Sequence, residues 1–303
     1  MDSIARVGPQ LDGESFSTVQ PTSASARCNR RSYFIQVKGA SSAQRGDVIM
    51  SWSVGAGLEG KVVIVTGACG GIGRAVALAF GQTGARILAT DLDQSTLDTL
   101  VSELPGAGHR GVALDLTDSD SHDELIRLAT EEMGGLYVLA HTAALLIRRS
   151  SLDEVTEDDW DSQIDTNLKS TFFLSRRVAN AMKRAGEGRI ILFTSQSWMT
   201  GGFGGSAVYS ASKGGVVSLS RSLARNFGPH GITVNTIAPG QIHTSMLMTD
   251  LDPAVYERMR DETPLGYVGE PDDVSGVVVF LASTHARYIS GATINVSGGY
   301  LMY

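Results

Sequence analysis

Cysteine is scarce in this sequence, which holds only Cys28 and Cys69 among its 303 residues. Neither belongs to a CxxC pair, which argues against a disulfide scaffold and a structural zinc site. The six histidines do not pair at spacings typical of metal ligands, and we predict no metal. This cysteine usage fits a reducing compartment, so we expect a cytoplasmic protein.

Long apolar runs and excess positive charge are also absent. The longest candidate run, LYVLAHTAALLI, is interrupted by His141 and Thr142 and is shorter than the ~20 residues of a membrane helix. The formal net charge of -7 would repel nucleic acid and anionic membrane surfaces. We therefore expect a soluble protein with a small-molecule substrate and no nucleic-acid or membrane partner.

The first 57 residues differ in composition from the rest. They are rich in Ser, Ala and Arg and lack periodicity, which fits a disordered tail, a targeting segment, or sequence upstream of a natural start at Met50. We predict an N-terminal extension over 1–57, disordered or non-native, on which function does not depend. A single domain is predicted over 58–303, where the apolar content suffices for a full core.

Short apolar runs alternate with amphipathic stretches from Leu58 onward, a pattern typical of strands alternating with helices. Because several runs are apolar at consecutive positions, both faces of those strands are expected to be buried. The sequence thus predicts an α/β fold, a Rossmann-like doubly wound domain whose seven-stranded parallel sheet has helices on both faces. The predicted strands are 61–66, 85–90, 110–115, 136–141, 189–194, 232–237 and 292–296.

A glycine-rich turn, TGACGGIG, follows the first predicted strand. Gly67, Gly71 and Gly73 form a GxxxGxG pattern, in which the missing Cβ atoms permit a tight turn and close approach to a helix N-terminus. A structural turn or the cofactor loop of a methyltransferase would have a similar composition. The position between a strand and a helix favours a site for the diphosphate of a dinucleotide.

Two aspartates near the ends of the next strands are candidate nucleoside contacts. Asp91 is placed to accept hydrogen bonds from the ribose hydroxyls of an adenosine. Its charge would repel a 2′-phosphate, and no Arg or Lys stands at 68–70 or 92 to offset this repulsion. We therefore expect NAD rather than NADP, with Asp115 as a candidate partner of the adenine amino group.

Tyr209 and Lys213 stand four residues apart in YSASK, at the start of a helical pattern, and so project from one face. Ser195 ends an apolar strand upstream, and Asn167 lies further upstream. A phenol has an ordinary pKa of about 10, so it acts as a base at neutral pH only if positive charge favours its anion. Lys213 and an oxidised nicotinamide would supply two such charges.

These motifs together resemble the short-chain dehydrogenase/reductase superfamily over about residues 58–303. The matching features are TGACGGIG, Asp91, Asp115, Asn167, Ser195, YSASK and a late APGQIHT. The resemblance implies that Tyr209 exchanges the substrate's hydroxyl proton and that Ser195 orients the substrate oxygen. It further implies that Lys213 binds the nicotinamide ribose and lowers the pKa of Tyr209. The backbone carbonyl of Asn167 would hold a water of the proton relay.

The resemblance also implies where NAD or NADP binds and how the chain assembles. By this resemblance, and from apolar residues on helices near 171–182 and 216–227, we expect a homodimer or homotetramer. The implied cofactor contacts are Gly67, Gly71, Ile72, Gly73, Asp91, Asp115, Leu116, Tyr209, Lys213, Pro239, Gly240, Ile242 and Thr244.

Three positions differ from the family pattern or leave a choice open. The usual Asn-Asn-Ala-Gly after the fourth strand is replaced by His-Thr-Ala-Ala at 141–144, where Thr142 is a partial substitute. Ser297 stands where an aspartate is usual, as a structural variation. Ser197, two residues beyond Ser195 on the same side of a predicted extended segment, is an alternative catalytic serine, although the fit of GRIILFTS favours Ser195.

The substrate pocket is less defined by the sequence. The segment 241–266 stands where the family places a mobile lid, and its apolar side chains either close over a substrate or pack an ordinary helix against the core. Trp198, Met199 and Phe203 are candidate pocket walls. Arg148 and Arg149 are either partners of a substrate carboxylate or a solvated surface pair.

The predicted function is hydride transfer between NAD(P) and a secondary alcohol or ketone, such as a sugar, sugar acid or polyol. One alternative is an NADPH-dependent ketoreductase of 3-oxoacyl thioesters. An alternative of another class is a non-catalytic dinucleotide-binding sensor or scaffold. The presence of the complete catalytic set disfavours that last alternative.

Overall fold

Seven parallel strands form one sheet in the computed structural model, which describes residues 53–202, 205–249 and 251–303. Their bounds are β1 Val62–Thr66, β2 Arg86–Asp91, β3 Arg110–Ala113, β4 Val138–His141, β5 Gly188–Phe193, β6 Ile232–Pro239 and β7 Thr293–Val296. The strand order is β3-β2-β1-β4-β5-β6-β7. All seven lie where strands were expected, and the predicted doubly wound α/β fold is confirmed.

Ten α-helices connect and cover these strands within the described ranges. They are α1 Gly71–Gln82, α2 Gln94–Glu103, α3 Ser119–Arg127, α4 Glu157–Ile164, α5 Ser170–Met182, α6 Ser197–Thr200, α7 Ala207–Phe227, α8 Ser245–Met248, α9 Pro253–Glu262 and α10 Pro271–Ala282. A π-helical segment, Asp165–Lys169, joins α4 to α5. No helix in this part of the chain combines the length and apolarity needed to span a membrane.

The central strands are buried on both faces because their residues are apolar at consecutive positions. Val63 and Val65 of β1 belong to the core on one side, together with Phe80 of α1. Ile64 of β1 belongs to the core on the other side, together with Leu174 of α5. Burying such a side chain contributes about 1.5–3 kcal/mol, so the sheet is stabilised from both faces.

The order of the strands reverses between β1 and β4, which pair through Thr66 and His141 at their carboxyl ends. Thr66 is also in register with Thr90 of β2. Because the connections leave to opposite sides at such a reversal, a crevice opens outside the carboxyl ends of these strands. The loops that follow the strands at this edge carry the predicted site residues.

A short turn before β1 packs against the domain. The carbonyl of Ala56 accepts a hydrogen bond from the backbone N of Thr284 at 3.0 Å, and Leu58 is fully buried. The predicted boundary at residue 58 therefore falls inside a packed segment, and 53–57 belong with the domain. The predictions about 1–52 lie outside the described residues.

Candidate active site

The loop between β1 and α1 leaves no room for side chains at three glycines. Gly67 has a φ of +60°, and a Cβ there would lie 2.7 Å from the Cα of Ala143. A Cβ on Gly73 would lie 2.1 Å from the carbonyl oxygen of Gly67, and one on Gly71 would lie 2.7 Å from Cγ2 of Thr244. No side chain caps the N-terminus of α1. Its free N–H groups therefore form the kind of cradle that a diphosphate fits.

Asp91 ends β2 beside this loop, and backbone groups hold both of its carboxylate oxygens. Oδ2 accepts a hydrogen bond from the N of Cys69 at 2.9 Å, and Oδ1 accepts one from the N of Leu92 at 2.8 Å. The nearby Arg74, whose positive charge acts to lower the pKa of the Cys69 thiol, is ion-paired with Glu103. The Asp91 carboxylate is thus held next to the glycine loop, and the nearby cation already has a partner.

Asp115 and Leu116 follow β3 rather than ending it, because the strand stops at Ala113 instead of the predicted residue 115. Oδ1 of Asp115 accepts hydrogen bonds from both the backbone N and the hydroxyl of Thr117, each at 2.8 Å. The carbonyl of Leu116 lies 2.8 Å from Nε2 of His122. These bonds replace the strand ladder and fix the turn after β3.

The His-Thr-Ala-Ala segment after β4 joins that strand to the glycine loop. The hydroxyl of Thr66 lies 2.9 Å from Nδ1 of His141 and accepts a hydrogen bond from the N of Ala143 at 3.2 Å. The hydroxyl of Thr142 donates to the carbonyl of Thr66 and lies 3.4 Å from that of Gly67. The replacement of Asn-Asn-Ala-Gly thus keeps β1 and β4 connected at their ends, with Thr142 as a substitute donor.

His141 is buried and neutral at the end of β4. Burial lowers its pKa from 6.5 to about 3, and the positive charges of Lys213 and His122 are smaller causes. In the unfolded chain the imidazole takes up a proton below pH 6.5, whereas in the folded protein it stays neutral down to about pH 3. The folded state therefore binds fewer protons within this window, and its stability falls as the pH falls. The expected slope from this residue is roughly 1 kcal/mol per pH unit.

Urea unfolding of the wild type and of a His141→Asn variant, at about pH 7.5 and about pH 5, measures this effect. Asparagine can hydrogen-bond Thr66 but does not titrate, so the variant should lose less free energy of unfolding between the two pH values. His122, whose pKa burial also lowers, is present in both proteins and cancels in the comparison. Equal losses in the two proteins would contradict the prediction.

Asn167 lies in the π-helical segment, and its side chain fixes the backbone after β4. Oδ1 accepts a hydrogen bond from the N of Leu145 at 2.7 Å, and Nδ2 donates to the carbonyl of Leu145 at 2.8 Å and to Oγ of Ser212 at 3.2 Å. Its backbone carbonyl accepts the hydroxyl of Thr171 at 2.7 Å. The family resemblance implied only a backbone role for Asn167, and the structure adds these side-chain bonds.

Ser195, Tyr209 and Lys213 meet beyond the carboxyl end of β5. The side chain of Ser195 acts on the phenol of Tyr209 and lowers its pKa. One helical turn further along α7, Nζ of Lys213 donates to the carbonyl of Phe193 at 2.9 Å and lies 5.6 Å from the centre of the Tyr209 ring. A hydroxyl, a phenol and an amine are thus brought together at the same edge of the sheet as the glycine loop.

Burial and neighbouring groups shift the phenol pKa of Tyr209 in opposite directions. Burial raises the pKa of Tyr209 to about 12, against the opposing effects of the Ser195 hydrogen bond and the Arg148 charge. Burial also lowers the pKa of Lys213 to about 8. Removal from water outweighs the favourable charges here, so at neutral pH the Tyr209 phenol keeps its proton.

The chain after Ser195 is helical, not extended as predicted. Ser197 begins α6, and its backbone N donates to Oγ of Ser195 at 3.2 Å. Because Ser195, and not Ser197, acts on the Tyr209 phenol, Ser195 stays the candidate catalytic serine. Trp198 packs edge to face on Tyr303, with ring centres 5.5 Å apart, a contact that no sequence pattern indicated. The prediction about position 203 lies outside the described residues.

The loop after β6 packs over the glycine loop. β6 extends to Pro239, and a Cβ on Gly240 would lie 2.6 Å from the Cα of Ser297. Thr244 caps α8 through its hydroxyl and contacts Gly71, so the predicted nicotinamide and diphosphate contacts are adjacent. The hydroxyl of Ser297, where an aspartate is usual, instead accepts the N of Leu301 at 3.2 Å.

The segment from Gln241 to Gly266 contains α8 and α9, and neither helix has a fully buried residue. Met246 is 43% exposed, whereas Tyr256 and Met259 are half-buried. A helix that packed as an ordinary core element would bury its apolar side chains completely. The partial burial therefore fits a cover resting on the crevice.

Comparison with known proteins agrees with this geometry. A family model described as enoyl-(acyl carrier protein) reductase matches residues 67–301. A 3-oxoacyl-(acyl-carrier-protein) reductase from Vibrio cholerae is 37% identical over 249 residues, covering 81% of this chain and 99% of the relative. The chain belongs to the short-chain dehydrogenase/reductase superfamily.

Two further members of the superfamily resemble this chain closely. A D-threitol dehydrogenase from Mycolicibacterium smegmatis is 36% identical over 245 residues, covering 80% of this chain and 94% of the relative. The crystal structure of a short-chain alcohol dehydrogenase from Sinorhizobium meliloti superimposes with a TM-score of 0.75 at 34% identity, covering 80% of this chain and 97% of that one. The predicted class is confirmed: this short-chain dehydrogenase/reductase is an NAD(P)-dependent oxidoreductase.

Proposed function

We propose that this protein interconverts a secondary alcohol and a ketone with Asn167, Ser195, Tyr209 and Lys213 as its catalytic set. The observation that carries the proposal is the position of the Lys213 ammonium, 5.6 Å from the centre of the Tyr209 ring, with Ser195 acting on the same phenol. These groups stand at the edge of the sheet where the glycine loop would hold a dinucleotide. A bound nicotinamide dinucleotide supplies or accepts the hydride.

Tyr209 transfers the proton in this scheme. With a pKa of about 12 its phenol is protonated at neutral pH, so during reduction it can donate to the substrate oxygen as that oxygen gains negative charge. Ser195 hydrogen-bonds the same oxygen and orients it. In the oxidative direction Tyr209 must accept a proton, and the Lys213 ammonium 5.6 Å from the ring centre stabilises the phenolate.

We assign the remaining predicted residues to the dinucleotide. The uncapped amides of Gly71, Ile72 and Gly73 would bind the diphosphate, and Asp91 would accept the adenosine ribose hydroxyls. The turn at Asp115 would contact the adenine. The stretch 239–244, packed against the glycine loop, would contact the nicotinamide carboxamide. The Cβ clearances at the glycines support this assignment, since only a bare backbone fits there.

NAD is the proposed cofactor, because the Asp91 carboxylate would lie beside the 2′-phosphate of NADP. An Asp91→Ser variant is expected to lower kcat/KM with NAD about tenfold and to raise it with NADP about tenfold or more, since one charged contact contributes about 1.5–3 kcal/mol. Steady-state rates with both cofactors measure the shift. Asp98→Asn, which changes an exposed carboxylate on α2, should leave the NAD/NADP ratio unchanged. A wild-type preference for NADP would contradict the proposal.

A second candidate, reduction of 3-oxoacyl thioesters with NADPH, is favoured by the likeness to the Vibrio cholerae reductase. The same catalytic set would serve it, so the two candidates differ in substrate and cofactor rather than in chemistry. A screen of polyols, sugar acids, steroids and 3-hydroxyacyl thioesters, each with NAD and NADP, distinguishes them. Turnover of a thioester with NADP alone would favour the ketoreductase.

We also propose a cytoplasmic homodimer or homotetramer. The scarcity of cysteine supports a reducing compartment. Half-buried aromatic side chains on α5, Phe172 and Phe173, support association through that helix. Light scattering coupled to size-exclusion chromatography tests the oligomeric state, and a monomer at working concentration would contradict it.

A further inference from the structure

The backbone between β4 and α4 is fixed by buried side chains. Leu145 is held at both its N and its carbonyl by Asn167, at 2.7 and 2.8 Å. The N of Ile147 donates to Oε1 of Gln163 at 3.0 Å, and Gln163 is buried. The direction of the side chains that follow is therefore set by the scaffold and not by a loose loop.

Arg149 makes structural contacts within the protein. Its Nε and a terminal nitrogen donate to the two carboxylate oxygens of Asp159 at 2.8 and 2.6 Å. Its carbonyl accepts a hydrogen bond from the N of Gly205 at 3.0 Å. Arg149 thus connects α4 to the chain that leads into α7, four residues before Tyr209. Its side chain is 41% exposed, and its ion pair with Asp159 is a contact that neither sequence-based interpretation included.

Arg148 differs from its neighbour. Its side chain is exposed, and within the described ranges it has no ion pair, hydrogen bond or ring contact. Its charge acts on the phenol of Tyr209, opposing the effect of burial on the phenol pKa. A guanidinium group carries five N–H donors in a planar fork suited to carboxylate and phosphate oxygens. Here that fork is unpartnered on a fixed backbone, near the proposed proton donor.

We propose that Arg148 binds an anionic group of the substrate, so that preferred substrates are hydroxy or oxo compounds bearing a carboxylate or a phosphate. The inference rests on the proposed function, because it takes Tyr209 as the proton-transfer group. Ser195 and Tyr209 would hold the reacting oxygen while Arg148 held the anion. Two points of attachment on a rigid frame would fix the orientation of the carbon that exchanges hydride.

Two substrate pairs show whether Arg148 binds a carboxylate or a phosphate. Acetoacetate is compared with ethyl acetoacetate, which lacks the charge, and acetoacetyl coenzyme A is compared with its uncharged N-acetylcysteamine thioester. For the wild type and Arg148→Gln, kcat/KM is measured on all four. One pair has a charged member that carries the anion bound by Arg148. For that pair, the ratio of kcat/KM for the charged substrate to kcat/KM for the neutral one should fall about 10- to 100-fold in Arg148→Gln, mainly through a higher KM for the charged substrate. Arg148→Lys should recover part of the ratio.

Arg221→Gln is the matched control, because Arg221 is also exposed and lies on α7, twelve residues beyond Tyr209. It should leave both ratios unchanged. Unchanged ratios in Arg148→Gln would overturn the inference, as would a wild type that reduces only uncharged ketones. A protein with no Tyr209-dependent oxidoreductase activity on any substrate would instead contradict the proposed function, so the two failures are distinguishable.

Discussion

Replacing Tyr209 with phenylalanine is expected to lower kcat/KM for the secondary alcohol or ketone about 10²- to 10⁴-fold. The substitution removes one oxygen from a half-buried ring and leaves the packing of the ring unchanged. The lost oxygen is the part of the side chain that would carry the proton and on which Ser195 acts. Thermal unfolding should change little, and dinucleotide affinity should fall by less than about tenfold, since at most one hydrogen bond is removed.

Steady-state kinetics and calorimetric titration with the dinucleotide measure the two effects separately. Tyr288→Phe removes the same atom from a fully exposed ring and should retain wild-type rates. Ser195→Ala should reduce kcat/KM further than Ser197→Ala, because Ser195 acts on the phenol whereas Ser197 does not. A Tyr209→Phe protein that kept its full cellular effect would favour the non-catalytic sensor or scaffold instead.

The strands and the glycine loop could be predicted because their signals are local. A run such as VVIVT is apolar at every position, and such a run is stable only where both faces are covered. The sequence shows Gly67 and Gly73 at a characteristic spacing. The structure explains why glycine is needed there, because nearby backbone atoms leave no room for a Cβ at either position. The chain order of these elements was then enough to place the loop at the reversal of strand order.

The connections between distant residues could not be predicted in this way. Three such connections depend on the folded geometry. They are the ion pair of Arg149 with Asp159, the ring contact of Trp198 with Tyr303, and the hydrogen bond from Leu145 to Asn167. None follows a helical or strand period. The sequence therefore could not show that Arg149 has an ion-pair partner while the adjacent Arg148 has none among the described residues.

The phenol pKa of Tyr209 shows how burial, which the sequence does not reveal, alters an electrostatic expectation. The sequence identifies the charges near Tyr209 but not how deeply the ring is buried. Burial disfavours the phenolate more than Ser195 and the Arg148 charge favour it, so the phenol pKa rises above its ordinary value. Lys213 experiences the same burial, which lowers its own pKa toward 8. The two pKa values thus move apart, to about 12 for Tyr209 and about 8 for Lys213, and both groups remain mainly protonated at neutral pH.

Gly73→Ala is expected to destabilise the domain by about 1–3 kcal/mol, although alanine is the better helix former by about 1 kcal/mol. The added Cβ would lie 2.1 Å from the carbonyl oxygen of Gly67 and 2.7 Å from Oγ1 of Thr142. The first of these is a backbone atom that cannot rotate away, so the loop or the start of α1 must shift. Dinucleotide affinity should therefore fall about 100-fold or more, because the amides that face the diphosphate move with the loop.

Differential scanning fluorimetry and calorimetric titration with NAD test this expectation. Gly276→Ala is the matched control, because Gly276 lies within α10, is exposed, and has no atom within 4 Å of a Cβ placed there. That variant should gain up to about 1 kcal/mol and bind NAD normally. Gly70→Ala, whose Cβ would meet only the Gly67 carbonyl at 3.3 Å, should unfold close to the wild type. If Gly73→Ala matched Gly276→Ala in both measurements, the packing at Gly73 could not be what shapes the loop for a diphosphate.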